Sequence, residues 1–189
     1  LATLQQGVGD ALQHLAKVVT QYWGIVLDCA GTRTGAKIGF LSVDESYDAK
    51  NPYTLHVIDT NAENVTASSG SRIRRCRLRT VVDRFAMNDD ASLLLAYMGD
   101  VADPTATSLW APTRSSRSLA IPLAVTQCCF PNWSEDVWIL DDQGCVSCWS
   151  SDRKPVDFAT HKFDLPIDGP VKEFFPLAGE GEFIMSMVN

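Results

Sequence analysis

Five arginines crowd into eight residues at Arg72-Ile73-Arg74-Arg75-Cys76-Arg77-Leu78-Arg79. The chain around them is acidic, with 16 Lys and Arg against 23 Asp and Glu and a net charge of −7. A guanidinium is a planar fork of donors that matches carboxylate or phosphate. On a strand, side chains alternate between faces, so Arg75, Arg77 and Arg79 project from one side and Arg72 and Arg74 from the other. The chemistry implied is contact with an acidic or phosphorylated protein partner through Arg72, Arg74, Arg75, Arg77 and Arg79. The competing reading is an edge strand kept from aggregating by its charge. The net charge argues against bulk nucleic-acid binding, which needs a cationic surface to release counterions.

The other reactive residue types form no catalytic pattern. The cysteines are Cys29, Cys76, Cys128, Cys129, Cys145 and Cys148. Cys145-x-x-Cys148 has the spacing of half a zinc site, but it has no second pair, and on a strand that spacing sends the two sulfurs to opposite faces. Buried, reduced thiols are expected, with no metal and no cofactor. His14, His56 and His161 sit in no nucleophile motif and are expected to be structural. Asp89-Asp90 and Asp141-Asp142 fall in turns, where Asp bonds its local backbone. The sequons at Asn64-Val65-Thr66 and Asn132-Trp133-Ser134 are read as chance. No phosphate-binding Gly loop, kinase motif or dinucleotide fingerprint occurs. No catalytic residue is assigned.

The elements that would position the arginines are mostly strands. Residues 3–22 predict one helix, because Leu4, Val8, Leu12, Leu15, Val19 and Tyr22 fall on one stripe. Trp23–Leu27, Ala36–Val43 and Tyr53–Asp59 read as strands. Val125–Phe130, Val137–Leu140, Cys145–Trp149 and Val156–Leu165 follow at spacings of about ten residues, as in an up-and-down antiparallel sheet. Asp141-Asp142-Gln143-Gly144 is hairpin chemistry, since Gly supplies φ > 0. Val171–Phe175 and Phe183–Val188 restart the pattern about 46 residues on, a period typical of propeller blades. An earlier copy is read at Leu78–Phe85, Ser92–Met98, Ser108–Pro112 and Ser118–Leu123.

Residues 124–189 therefore resemble β-propellers of the WD-repeat type, although they carry no Trp-Asp ending and no Gly-His start. The resemblance implies antiparallel blades behind one N-terminal amphipathic helix, and an interaction platform. A tandem polo box is the second resemblance, carried by the N-terminal helix, the strands after it and Thr80–Met87. It implies two α+β units that bind phosphopeptides, but no helix follows residue 170, where the second unit would end. The DNA gyrase pinwheel shares the strand rhythm of Val137–Val188 and lacks its basic rim here.

Apolar content of 46% with 21% charged residues describes a folded globule. The expected organisation is a helix over 1–22 and an all-β repeat domain over 23–189. Internal division is expected near 67–71 or 100–107, and the chain reads as a piece of a longer one. No apolar run of about 18 residues is present, so no membrane span is expected. No signal peptide is visible, which implies an intracellular location, cytoplasmic or nuclear. The function expected is a non-catalytic protein–protein interaction scaffold in a larger assembly. The alternatives are a phosphopeptide-binding targeting module and an enzyme on a propeller scaffold.

Overall fold

The structure, a computed structural model, describes residues 24–44, 52–60, 73–99, 103–132, 134–150, 152, 170–177, 179 and 182–187. They form strands β1 (Ile25–Gly31), β2 (Lys37–Val43), β3 (Tyr53–Asp59), β4 (Ile73–Arg77), β5 (Arg84–Met87), β6 (Leu94–Tyr97) and β7 (Ser108–Trp110). The chain continues through β8 (Leu119–Ala120), β9 (Val125–Cys129), β10 (Val137–Asp141), β11 (Val146–Trp149), β12 (Val171–Pro176) and β13 (Phe183–Met187). The protein is mainly β, with no helix among the described residues. The helix expected over 3–22 and the strand expected over Val156–Leu165 lie outside those residues.

Each sheet is an antiparallel meander taken in chain order. β1-β2-β3-β4 form the first, β5-β6-β7-β8 the second, β9-β10-β11 the third and β12-β13 the fourth. The runs read at 125–130, 137–140, 145–149, 171–175 and 183–188 are β9 to β13 to within a residue at each end. Residues 67–71 and 100–107, read as places of division, each lie between paired strands of one sheet, β3 with β4 and β6 with β7.

One run is corrected. Leu78–Phe85 was expected to be a strand, but pairing begins only at Arg84. Leu78 and Val82 are instead buried in the core between the first two sheets. Their side chains anchor a segment that crosses from one sheet to the next; its ends bond both sheets, the Leu78 N–H to the Tyr53 carbonyl at 2.9 Å and the Asp83 N–H to the Tyr97 carbonyl at 3.2 Å.

The core lies between the sheets. Leu41, Leu55 and Cys76 of the first sheet pack against Phe85, Leu94 and Ala96 of the second. Leu95 and Leu109 of the second meet Val125, Val137 and Ile139 of the third. Trp138, Leu140 and Cys148 of the third meet Val171 and Phe174 of the fourth. This stacking explains the unbroken apolar runs Leu93–Ala96 and Val137–Leu140. A strand alternates faces, so one with sheets on both sides must be apolar at every position. Each buried Val, Leu or Ile among them contributes about 1.5–3 kcal/mol.

Polar side chains tie the first strands of neighbouring sheets. Asp28 of β1 accepts from the Phe85 amide of β5 at 3.1 Å. The Gln127 amide of β9 donates to the Phe174 carbonyl of β12 at 2.6 Å, and its oxygen accepts from the Phe174 N–H at 3.1 Å. The first turns of three sheets are also laced: Arg33 pairs with Asp89 at 2.7 Å and donates to Asn132 Oδ1 at 2.6 Å.

Candidate functional site

The arginine run forms β4, the edge strand of the first sheet. Cys76 points into the core against the second sheet, and alternation therefore sends Arg75 and Arg77 to the other face. Arg79 lies just past the strand, yet it joins Arg75 and Arg77 along one groove of about 640 Å³. The opposite wall comes from the edge of the second sheet and includes Arg117 and Ala120. Hydroxyl groups fill out the lining at Thr80, Ser108, Ser116 and Ser118. No carboxylate lines this groove among the described residues. In a chain of net charge −7, that is a local concentration of positive field.

Arg117 is held by a well-tied turn between β7 and β8. The Ser115 and Arg114 amides both donate to the Ala111 carbonyl at 3.0 Å. The Trp110 indole donates to the Ser115 carbonyl at 2.8 Å. Ser115 Oγ donates to the Arg117 carbonyl and accepts from the Arg117 amide, each at 3.0 Å. Arg114 leaves the groove and pairs with Asp152. Thr80 Oγ1 and Ser108 Oγ are 3.0 Å apart, tying the crossing segment to β7 on the groove floor.

Arg74 does a different job from its neighbours. Its Nη1 donates to the Pro112 carbonyl at 2.6 Å, in the same β7–β8 turn. It lines a separate cavity of about 180 Å³ with Lys37 and Asp59. Arg74 thus ties the first sheet to the turn that carries Arg117. Arg72 lies outside the described residues.

Next to Arg75, His56 of β3 is buried and is its cross-strand partner in the ladder. Its Nε2 is 2.9 Å from Ser42 Oγ. Burial, helped by the Arg75 charge, lowers its pKa to about 4. Its imidazole is therefore neutral at physiological pH; His14 and His161 lie outside the described residues.

No family model matches this chain, and no curated protein matches it.

The remaining candidates disperse. Cys145 is exposed in the β10–β11 turn, whereas Cys148 is buried against the fourth sheet. Asp141 Oδ1 accepts from the amides of Gln143 and Cys145 at 3.0 and 2.8 Å, which is the turn role expected of it. Asp90 Oδ1 accepts likewise from the Ser92 amide at 2.9 Å. Sequence reasoning missed Arg117, Ser116 and Ser118. The signal available was Arg114-Ser115-Ser116-Arg117-Ser118, a basic and hydroxyl-rich run. Only the pairing of β7 with β8 and the stacking of two sheets bring it to Arg75.

Proposed function

We propose that this chain is a non-catalytic interaction module built from propeller-type blades, and that its Arg75–Arg77–Arg79–Arg117 groove holds an acidic protein partner. The observation that carries the reading is the groove itself: four guanidinium groups on one concave surface, with no carboxylate in the lining among the described residues. A groove lined by several guanidinium forks is complementary in charge and geometry to an anionic partner.

The propeller reading draws on the order of the sheets. The chain leaves the last strand of the first sheet and enters the first strand of the second, and β1 lies beside β5 as β9 lies beside β12. Inner strands gathered side by side, with outer strands at the far edge, suit radial repetition of small sheets. In this reading β4 and β8 are outer strands, so the groove opens between the rims of two blades.

The test is charge reversal. Arg75→Glu with Arg77→Glu, assayed by affinity capture from cell extract followed by binding measurements on the purified partner, should abolish capture while the fold is retained. Undiminished binding to the same partner would sink the site assignment.

A further inference from the structure

We propose that the groove is a phosphoryl-recognition site that takes a phosphorylated serine or threonine of an extended peptide. This rests on the partner-binding reading and narrows it from acidic to phosphorylated.

The donor set suits phosphate better than carboxylate. A carboxylate has two oxygens and is matched by a single guanidinium fork. A phosphate monoester carries close to two negative charges and three strong acceptor oxygens. It needs more than one fork, and Arg75, Arg77, Arg79 and Arg117 line one groove. Ser116 and Ser118 add hydroxyl donors to the same lining. The two walls belong to different sheets, so a single multivalent anion can be engaged from both sides.

The site is also assembled in advance. The Trp110 indole, the Ser115 hydroxyl and Arg74 all bond the β7–β8 turn that bears Arg117. Donors placed before binding need little reordering, and fixing the turn lowers the entropy cost of the complex.

The strand edge favours a peptide over a lipid headgroup. The groove runs between the edges of two sheets. Its first wall is β4, an edge strand, and edge strands are templates for extended peptides. A peptide laid along β4 brings its phosphorylated side chain to the arginines.

The experiment uses the full chain and three fluorescent peptide pools with degenerate flanks and a central phosphoserine, glutamate or serine. The phosphoserine pool should bind about tenfold or more tighter than the glutamate pool, and millimolar inorganic phosphate should displace it. Arg117→Gln, and the charge-conserving Arg117→Lys, should each erase that preference with an unchanged melting temperature. Arg114→Gln, in the same turn but outside the groove, should retain it. Equal affinity for phosphoserine and glutamate pools overturns the phosphoryl assignment and leaves the acidic-partner reading standing. Preference intact in both Arg117 variants overturns the assignment to this groove. Binding to vesicles containing a phosphorylated inositol lipid, with no binding of the phosphoserine pool, overturns the peptide claim. Binding of no pool and no vesicle, together with undiminished partner capture by the Arg75→Glu/Arg77→Glu protein, overturns both readings.

Discussion

His56 and Arg75 stand opposite each other across the β3–β4 ladder, one buried and neutral, the other at the lip of the groove. The pair joins the stability of the first sheet to the charge of the site. Burial first, and Arg75 second, hold the imidazole down at about 4 against an ordinary 6.5. Well above pH 6.5 neither folded nor unfolded chain is protonated there, and stability is unaffected. Between about 6.5 and 4 the unfolded chain takes up a proton that the folded chain refuses, so stability falls as pH falls. The full loss is about 3 kcal/mol, reached near pH 4. Urea unfolding at pH 7, 5.5 and 4.5 should show this decline, and His56→Gln should remove its share of it. A parallel decline in the variant assigns the effect to other groups. Arg75→Gln should raise the imidazole pKa, as read by NMR titration.

Charge reversal at the groove should separate binding from folding. Arg75 and Arg77 are exposed on an edge strand, where substitutions cost little stability. The Arg75→Glu/Arg77→Glu protein should lose partner affinity by about a hundredfold or more, while its unfolding midpoint moves by no more than a few degrees. The affinity of the unaltered chain should fall steeply with added salt, and the residual affinity of the variant should be nearly salt-independent. A large drop in the midpoint with binding unchanged would identify the run as internal structure.

Arg74 should behave unlike its neighbours, because its bond to the Pro112 carbonyl positions the turn bearing Arg117. Arg74→Ala should destabilise the fold by about 1–2 kcal/mol, the worth of a charged hydrogen bond to a part-buried carbonyl. It should also weaken partner binding without lining the groove. Arg74→Lys, which keeps charge but loses the fork, should recover only part of both. An Arg74→Ala protein as stable as the original shows that the bond contributes nothing to the fold.

Gly144 is a point of no tolerance. Its φ is +76°, and an added Cβ would lie 2.4 Å from Pro170 Cβ and 3.0 Å from the Val171 nitrogen. The Val171 amide also donates to the Gly144 carbonyl at 2.9 Å, joining the third sheet to the fourth. Gly144→Ala therefore combines left-handed strain with a clash. It should cost about 2–4 kcal/mol and lower the melting temperature by several degrees. Hydrogen exchange should rise first in β12 and β13, and uniform exchange across the chain would contradict this local account.

Thiol reactivity should divide by burial. Cys29 and Cys145 are exposed. Burial pushes Cys128 up to about 11, and pushes Cys129 and Cys148 up to about 12, with neighbouring thiols and Asp136 adding to the effect. A thiol reagent at pH 8 should modify two groups quickly in the native protein. Denaturation without reductant should raise the count to six. A denatured count of four would indicate a disulfide, and fast native reaction of Cys128 would contradict its burial.

The strand pattern was legible in the sequence because it is local. Alternation, β-branched runs and Gly-bearing turns place β9 to β13 nearly to the residue, and Gly144 supplies the positive φ that its turn required. The arginine run was equally plain from composition alone. The sorting of that run was not. Arg74 and Arg75 are chain neighbours, yet one ties down a turn and the other lines the groove. Which face of β4 meets the second sheet depends on burial of Cys76, Leu78 and Val82 against residues distant in the chain. The strand expected over Leu78–Phe85 is interrupted for the same reason, since Leu78 and Val82 are buried where the chain crosses between two sheets. Arg117 entered the site only through stacking of two sheets, about forty residues from Arg77 in the chain. Local propensity can specify strands and turns, but the hydrophobic contact between sheets chooses which charged side chains share one surface.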